Sequence, residues 1–439
     1  MKKKIFIWLS ALAIIINVFL PSTLKNAKAA ATHDSVITEI NITDTNGKPI
    51  PGNSVEMWQQ FRVNAKFALP DNIVKEGDTT TIRLPEQLTF QSTVNFDVKD
   101  SSGNLVAKAE VNNQAKTITL RYTKYPENRS DVKGSLYFNA RVDHSKVKQK
   151  QDIELKFQIG NRIIAGGKLD YKGPGKKYET IIEKSGWQDN QDKSLFHYGI
   201  AINRSKADLK DAWVKDRLVD TYGVEVVPNS IKIYKVEWYW DNGEWKHKGD
   251  VDVTPNFKSN IEVDADKQGF NIRLGNIGTE QYYIKYDIKA NYTPTHGEIF
   301  KNNATLKYNG KIQKDVNFTL QYLEAGGRAE GYVYSINIHK KDKDGKSLQG
   351  AEFQLTRDAN GKVIGTYKTD ANGNIKITGL LKDKYTLKET KAPEGYKLDQ
   401  KEIKIEPKDF GSDKSLTKEV INEKDNPKIK VSGEKTWED

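Results

Sequence analysis

The sequence predicts an all-β protein made of consecutive β-sandwiches. Apolar and polar residues alternate over many short segments, as in strands that bury one face. Turn-forming sequences, such as Asp-Ser-Ser-Gly-Asn at residues 100–104, separate these segments. No long segment has the 3.6-residue apolar period of a helix packed on a core. Short alternating strands joined by such turns are typical of sandwich domains.

Composition limits the domain count and the kinds of chemistry. The chain has 439 residues, no cysteine and a formal net charge of +11. At about 150 residues per domain, it has room for about three domains. The absence of cysteine excludes disulfides and metal–thiolate sites. The histidines show no ligand spacing, so we expect no metal and no cofactor. Basic residues are interspersed with acidic ones, which indicates a solvated surface and no nucleic-acid partner.

The amino terminus has the pattern of a secretory signal peptide. Three lysines at positions 2–4 precede an apolar run at 5–20, and Ala27-Lys28-Ala29 supplies small residues for cleavage. We therefore predict a signal peptide at 1–29 and secretion of a mature chain that starts near Ala30. No other segment approaches the roughly 18 apolar residues of a membrane span.

Residues 30–170 form the first predicted sandwich. Its clearest alternating strands are 61–69, 79–84, 117–122 and 136–142. Lys66 and Asn139 fall on the predicted polar faces of their strands, opposite Phe67 and Phe138. We therefore expect no internal crosslink in this domain.

A Gly- and Pro-containing linker at 171–177 leads to a second predicted sandwich at 178–320. Alternation places Lys184, Asp216 and Asn302 on apolar strand faces. Their same-face neighbours are Ile182 for the lysine, Val214 and Leu218 for the aspartate, and Phe300, Ala304, Leu306 and Tyr308 for the asparagine. The sequence thus aims a lysine, an acid and an amide at one core.

The third region, 332–425, repeats this arrangement with Lys340, Glu389 and Asn422. Their apolar same-face neighbours are Ile336 and Ile338, Tyr385 and Leu387, and Val420, respectively. Buried lysine and glutamate are rare without partners. Alternation alone is equally compatible with a chemical role and with a buried Lys340–Glu389 salt bridge beside an ordinary asparagine.

The motifs of this third region resemble the prealbumin-like B domains of Gram-positive surface proteins and pilins. The motifs are Lys340-x-Asp342, Gly350 to Leu355, Glu389-Thr390, Pro393-x-Gly395-Tyr396 and Asn422. The resemblance implies a prealbumin-like β-sandwich in which Lys340 and Asn422 condense into an isopeptide bond with Glu389 as catalyst. Burial lowers the pKa of a lysine and raises that of a carboxylic acid, which gives a neutral nucleophile and a protonated acid.

Residues 36–330 resemble the N1–N2 ligand-binding region of the collagen-adhesin family of Gram-positive cell-wall proteins. The resemblance rests on two tandem sandwiches after a signal peptide and on Lys184, Asp216 and Asn302. It implies immunoglobulin-like β-sandwiches, N1-like and N2-like. It also implies a Lys184–Asn302 isopeptide bond catalysed by Asp216.

In that family the two domains close around a rope-like ligand, and a tail after N2 adds a strand to N1. The segment 321–331 lies at the position of that latch, and Gly326-Gly327 could let it swing. A plain interdomain linker is the alternative.

The ligand contacts are predicted from aromatic residues. Gly199, Ala201 and Lys285 occupy the positions where the collagen-binding pattern has an aromatic and two amides, a departure that weakens the case for collagen. Exposed aromatics beside a groove are good ligand anchors. The candidate ligand contacts are Tyr198, Tyr234, Trp238, Tyr239, Trp240 and Lys285. An ordinary sheet core is the alternative for these aromatics.

Residues 426–439 resemble the start of a further B-type repeat, which is incomplete here. We expect peptidoglycan attachment through a region beyond residue 439 and a monomeric protein at the cell surface. The predicted function is adhesion to a host extracellular-matrix protein, collagen-type first. Alternatives are fibrinogen, a glycosaminoglycan or a structural role as a pilus-type subunit. Apart from single-turnover bond formation, we expect no enzyme activity.

Overall fold

The structure, a computed structural model, describes residues 29–91, 95–425, 432–435 and 437, without the side chains of 311–313. The predicted signal peptide and most of 426–439 lie outside the described residues. The described part consists of strands and short 3₁₀ helices, and none of its helices is long and apolar enough to cross a membrane. The predicted all-β fold class is confirmed.

The first sandwich has eleven strands of its own in the described residues. They are β1 (Ile37–Thr43), β2 (Ser54–Val55), β3 (Phe61–Ala68), β4 (Thr79–Arg83), β5 (Leu88–Phe90), β6 (Phe96–Lys99), β7 (Leu105–Asn112), β8 (Thr117–Tyr122), β9 (Ser130–Val142), β10 (Gln151–Ile159) and β11 (Arg162–Tyr171). Short 3₁₀ helices lie at Pro51–Asn53 and Tyr125–Glu127.

These strands form one continuous sheet that folds over a single core. Together with β23 (Gly326–Tyr332), which links β9 to β6, the order is β1-β3-β9-β23-β6-β7-β8-β4-β10-β11-β2, with β5 on β9. The inserted strand β23 comes from far along the chain, after the second sandwich.

The second sandwich consists of two facing sheets. Its strands are β12 (Ile182–Gln188), β13 (Leu195–Ile202), β14 (Ala212–Val219), β15 (Val224–Val226), β16 (Lys232–Asp241), β17 (Glu244–Asp252), β18 (Ile261–Val263), β19 (Gly269–Gly275), β20 (Gln281–Ala290), β21 (Ile299–Tyr308) and β22 (Lys311–Gln321). One sheet runs β12-β13-β20-β16-β17 with β15 on β20, and the other runs β18-β19-β14-β21-β22. Short 3₁₀ helices lie at Pro228–Ser230 and Thr254–Asn260.

Strand β23 (Gly326–Tyr332) follows, and then the third sandwich. Its strands are β24 (Tyr334–Asp342), β25 (Glu352–Arg357), β26 (Lys362–Lys368), β27 (Asn374–Leu380), β28 (Tyr385–Lys391), β29 (Ile403–Ile405) and β30 (Ser415–Asn422), with a 3₁₀ helix at Pro407–Asp409. A β27-β24-β30 sheet packs on a β26-β25-β28-β29 sheet. Strands β24 and β30, the first and last, pair in parallel.

One face prediction in the first sandwich is wrong. Lys66 is exposed and pairs with Glu39 at 2.8 Å, as expected of a polar face. Asn139, however, is fully buried, because the chain segment that leads into β23 covers this face of β9. The Asn139 side-chain amide donates a hydrogen bond to the Glu324 carbonyl at 3.0 Å. Alternation within β9 could not reveal a cover supplied from nearly 200 residues away.

Candidate functional site

The third sandwich brings Lys340, Glu389 and Asn422 together in its core. Lys340 comes from β24, Asn422 from the paired strand β30, and Glu389 from β28 of the facing sheet. Lys340 Nζ contacts Asn422 Oδ1 and lies 3.2 Å from Glu389 Oε1. Asn422 Nδ2 donates to both carboxylate oxygens of Glu389, at 3.0 and 3.1 Å. The acid therefore touches the amine and the amide directly.

Backbone groups hold this cluster in place. The Lys397 carbonyl accepts a 2.9 Å hydrogen bond from Asn422 Nδ2, and the Asp399 amide donates a 2.8 Å hydrogen bond to Glu389 Oε2. Lys340, Glu389 and Asn422 are all buried. Burial lowers the pKa of Lys340, with Glu389 opposing the shift. A lysine shifted in this direction is more easily neutral and hence a better nucleophile.

The second sandwich brings Lys184, Asp216 and Asn302 into its core. Lys184 comes from the edge strand β12, whereas Asp216 and Asn302 come from the neighbouring strands β14 and β21 of the other sheet. All three are buried, and Lys184 Nζ contacts Asp216 Oδ2. Burial lowers the pKa of Lys184 against the opposing charge of Asp216.

A tyrosine that the sequence analysis did not single out completes this second cluster. Tyr286 Oη donates to Asp216 Oδ1 at 2.7 Å and accepts from Asn302 Nδ2 at 2.9 Å. It also accepts from Lys184 Nζ at 2.5 Å. Tyr198 stacks on its ring at 5.6 Å between centroids. Tyr286 sits on an ordinary apolar strand face, so alternation gave no signal for it.

A cleft of about 660 Å³ lies between the first and second sandwiches. Its walls are rich in aromatic and arginine side chains. Those from the first sandwich are Trp58 and Arg141, and those from the second are Tyr178, Trp187, Arg204, Trp238, Trp245, Tyr283 and Phe318. Arg204 lies over the rings of Trp238 and Trp245, at 4.5 and 5.4 Å from their centroids. Such surfaces suit ligands with flat or apolar groups.

Polar contacts also join the two sandwiches. His144 Nε2 lies 3.3 Å from Glu244 Oε1, and burial lowers the pKa of His144. His296 Nε2 lies 3.0 Å from the Thr45 carbonyl and 2.9 Å from Arg62 Nη2. The two domains thus contact each other through two sets of residues, of which Glu244 also lines the cleft.

Strand β23 extends the first sandwich after the chain leaves the second. It pairs antiparallel with β9 and parallel with β6, from Gly326 opposite Tyr137 to Tyr332 opposite Ser130. Ala329 is buried in the first-sandwich core. A Cβ on Gly327 would lie 2.6 Å from Val98 Cγ2, so glycine allows this close approach. The glycine pair expected as a swivel is therefore part of the strand.

The predicted ligand contacts divide into several environments. Tyr198 is fully buried and Trp238 is 6% exposed, so the expectation that Tyr198 lies at the surface is wrong in this structure. Trp238 still lines the cleft. Tyr239 is exposed, outside the lining of this cleft, and Trp240 contacts Tyr178 edge-on. Lys285 lies over the rings of Tyr234 and Tyr283.

Several aromatic residues that line the cleft are not among the ligand contacts predicted from the sequence. Trp58 stands in a turn of the first sandwich and is 52% exposed, and Trp187 is 39% exposed. Tyr283 fills the space above Gly199, where an added Cβ would lie 2.2 Å from the Tyr283 hydroxyl. Exposed aromatics in a turn could have indicated Trp58. The pairing that brings Tyr283 over Gly199 is a tertiary feature that local pattern does not contain.

Family models match each of the three sandwiches. Residues 54–152 match a bacterial Ig domain, 179–317 a collagen binding domain, and 334–424 a prealbumin-like fold domain. These matches define a multidomain, all-β protein with an Ig-type, a collagen-binding-type and a prealbumin-like domain. They confirm the predicted resemblance to the collagen-adhesin family of Gram-positive surface proteins.

Two relatives and one solved structure illustrate this similarity. A wall-associated protein of Streptococcus mutans is 21% identical, covering 76% of this chain and 74% of that protein. The bone sialoprotein-binding protein of Staphylococcus aureus is 27% identical, covering 84% of this chain but only 36% of that protein. The crystal structure of the collagen adhesin of S. aureus aligns with a TM-score of 0.52 at 17% identity, covering 70% of this chain and 99% of that one. This last similarity supports the fold.

Proposed function

We propose that this chain is a cell-surface adhesin that encloses an extended host-matrix ligand between its first two sandwiches. Collagen-type ligands are the first candidate. The observation that carries the proposal is the insertion of β23 between β9 and β6. A strand that leaves the second sandwich and completes a sheet of the first ties the two domains together around the cleft. Main-chain hydrogen bonds on both sides of the strand would retain the ligand.

The residues at the floor of the cleft favour one class of ligand over others. Ala201 is buried beside Trp238, and Tyr283 covers Gly199. Bulky aromatic rings thus occupy the space above the two small positions. An extended ligand would meet the faces and edges of rings, together with the guanidinium groups of Arg141 and Arg204. Apolar or proline-rich polypeptide fits this surface better than a sulfated polysaccharide, which needs several exposed cations.

Solid-phase binding of the mature chain to collagens, fibrinogen and glycosaminoglycans tests the proposal. Trp58→Ala should weaken binding to the recognised ligand about tenfold or more, because tryptophan is enriched among hot-spot residues, whose truncation costs about 2 kcal/mol or more. Tyr239→Ala is the matched control, since Tyr239 is also exposed but does not line the cleft. Equal affinities of the two variants would reject the cleft as the binding site. Deletion of 326–331, which leaves Tyr322 in the core of the second sandwich, should accelerate ligand dissociation while the second and third sandwiches stay folded.

We further propose that Lys340–Asn422 and Lys184–Asn302 condense into isopeptide bonds. Each amine lies in its cluster with an acid and an amide, buried from water. The neutral amine attacks the amide carbon, the acid moves protons, and ammonia leaves. The alternative, two buried ion pairs beside asparagines, leaves the mass of the chain unchanged.

Intact-mass measurement separates these two readings. Each condensation releases one ammonia, so two bonds should lower the mass of the mature chain by about 34 Da. Peptide mapping should recover the two branched peptides. A mass equal to that of the uncrosslinked chain would refute both bonds without touching the ligand proposal.

A further inference from the structure

The two lysine–acid–amide clusters differ in how the acid reaches the amide. In the third sandwich, Glu389 accepts hydrogen bonds directly from Asn422. In the second, the hydrogen bonds of Asp216 go to Lys184 and Tyr286, and none of the described contacts joins it to Asn302. The same chemistry would therefore need a different path for the proton in the second sandwich.

Strand register explains the difference. Asp216 lies opposite Ala304 in the β14–β21 pair, and Asn302 lies opposite Leu218, so the aspartate and the asparagine are diagonal neighbours on one sheet. Diagonal positions are about 7–8 Å apart, which two short side chains do not span easily. Glu389 has no such restriction, because it comes from the sheet that faces both Lys340 and Asn422.

Tyr286 bridges this gap from the facing sheet. Its hydroxyl lies 2.7 Å from Asp216 Oδ1, 2.9 Å from Asn302 Nδ2 and 2.5 Å from Lys184 Nζ. The amide nitrogen of Asn302 has this hydroxyl as its described side-chain partner. The carbonyl oxygen of Asn302 is buried and has no partner among the described residues. The phenol is thus in contact with both nitrogen atoms that exchange places in the condensation.

We propose that Tyr286 is a catalytic residue of bond formation in the second sandwich, relaying a proton between Asp216 and the Asn302 amide. This role rests on the proposed Lys184–Asn302 bond and adds a residue to it. Burial raises the pKa of Tyr286 well above its ordinary value, so the phenol keeps the proton that a relay needs.

The relay balances without any co-reactant. The reaction starts with a neutral Lys184 amine and a protonated Asp216, whose Oδ1–H donates to Tyr286 Oη in the reverse of the resting Tyr286-to-Oδ1 hydrogen bond. The Nζ–Cγ bond forms, and Nζ passes one proton to Asp216 Oδ2. The Oδ1 proton moves to Tyr286, whose own proton moves to Asn302 Nδ2. The Cγ–Nδ2 bond breaks, and ammonia leaves. The carboxyl and the phenol each end with one proton, and nothing is oxidised or reduced.

Tyr198 provides a matched control in the same cluster. Its ring stacks on Tyr286, and Lys184 Nζ lies 4.9 Å from the centroid of each ring. Its hydroxyl, however, is buried without a hydrogen-bond partner in the described residues. Tyr286→Phe and Tyr198→Phe each remove one hydroxyl from one of two stacked rings, so they change the side-chain volume equally. Only the Tyr286 hydroxyl contacts the reacting atoms.

The test follows bond formation in the full chain from synthesis. Wild type, Tyr286→Phe and Tyr198→Phe are made by cell-free translation, stopped in denaturant at intervals and analysed by intact mass and peptide mapping. Tyr286→Phe should slow the 184–302 crosslink about 100-fold or more, the usual effect of losing a general acid–base group. Tyr198→Phe should not. The 340–422 crosslink in the same molecules serves as an internal clock and should be unchanged.

Each result decides the proposal. Wild-type rates in Tyr286→Phe would overturn the relay and leave the bond itself intact. A wild-type chain without the 184–302 crosslink would overturn the bond and the relay together. If Tyr286→Phe fails to fold, as judged by thermal unfolding, 3-fluorotyrosine at position 286 replaces it. This analogue keeps the ring and hydroxyl but has a more acidic phenol. A relay then predicts a changed rate and pH profile, whereas unchanged kinetics would overturn it.

Discussion

At the scale of single residues, removal of the acid from the third sandwich should prevent its crosslink with little effect on the fold. In Glu389→Gln, the side chain keeps its shape and its contact with Asn422 but cannot exchange protons in the same way. The mass deficit should fall from about 34 to about 17 Da, with only the 340–422 peptide uncrosslinked. Glu352→Gln, on a partly exposed position of β25, is the control and should keep both bonds. A full deficit in Glu389→Gln would show that the acid is dispensable.

Unbonded Lys184 should also make stability depend on pH. Burial lowers its pKa from the ordinary 10.5, so the unfolded chain binds more protons in the window between the folded pKa and 10.5. The free energy of unfolding of Asn302→Ala should therefore rise with pH in that window, by up to about 1.4 kcal/mol per pH unit. Below the folded pKa, Lys184 is protonated in both the folded and the unfolded state, so it no longer contributes to the slope.

The measurement is chemical unfolding of Asn302→Ala and wild type from pH 7 to 9.5. In the bonded wild type, the Lys184 nitrogen is an amide and does not titrate, so the other ionisable groups set its slope. Parallel pH profiles for the two proteins would contradict either the bond or the lowered pKa. The comparison of slopes matters here, because loss of Asn302 also leaves a small cavity that shifts stability at every pH.

Alternation identified the lysine, acid and amide of each cluster because a polar residue in line with core residues is an anomaly that a sequence displays. Tyr286 shows no such anomaly, since it lies on the same buried face of β20 as Ile284 and Ile288, as an ordinary core aromatic would. Its importance depends on which strand faces it across the sandwich. That information is tertiary, and local pattern does not contain it.

At the scale of elements, strand β23 should be displaced by a charge on its buried face. Ala329 is 1% exposed in the core of the first sandwich, whereas its neighbour Arg328 is exposed. Ala329→Asp would bury an unpaired carboxylate and should release the strand. Arg328→Asp introduces the same side chain on the solvent face and should leave it in place.

Hydrogen exchange gives a readout that needs no ligand. Release of β23 should speed exchange at the backbone amides of β9 and β6 that pair with it, within 130–137 and 98–99. The second sandwich should be unaffected. Slow exchange at these amides in Ala329→Asp would mean that β23 is held by more than its buried face. Ligand dissociation from the same two variants would then show whether the strand retains the ligand.

Most strands of the first two sandwiches were predictable, but the location of β23 was not. The segment Gly326 to Gly331 is rich in glycine and lacks the β-branched residues typical of strands. It is a strand because β9 and β6 offer unpaired edges on both sides, with Gly134 and Gly327 allowing close approach. The resemblance to collagen adhesins predicted a strand added to the first sandwich here, where local propensity indicated a linker.

At the scale of the whole molecule, the third sandwich docks on the first. The Tyr334 hydroxyl contacts Asp131, and the Lys382 amide donates to Ser130 Oγ at 2.9 Å. Lys382 Nζ lies 3.3 Å from Asp131 Oδ2, and Arg357 Nη2 donates to Asn72 at 2.8 Å. These are single polar contacts between turns and strand ends. These contacts join residues that are far apart in sequence, and no periodic pattern in the sequence predicts them.

This docking should hold the far end of β23, because Ser130 also pairs with Tyr332 at the end of that strand. In a variant with Arg357→Glu and Lys382→Glu, the introduced carboxylates would oppose Asp131 and lose the bond to Asn72. Partly exposed ion pairs contribute up to about 1 kcal/mol each, so the third sandwich should detach while its own core stays folded. The radius of gyration should increase, and amides of β23 should exchange several-fold faster.

A variant with Lys384→Glu and Lys404→Glu is the control. It makes the same charge change on exposed residues that pair within the third sandwich. If the two variants have the same radius of gyration and the same exchange rates at β23, the third sandwich does not stabilise this strand. Closure of the cleft then depends only on β23 itself and on the contacts between the first two sandwiches.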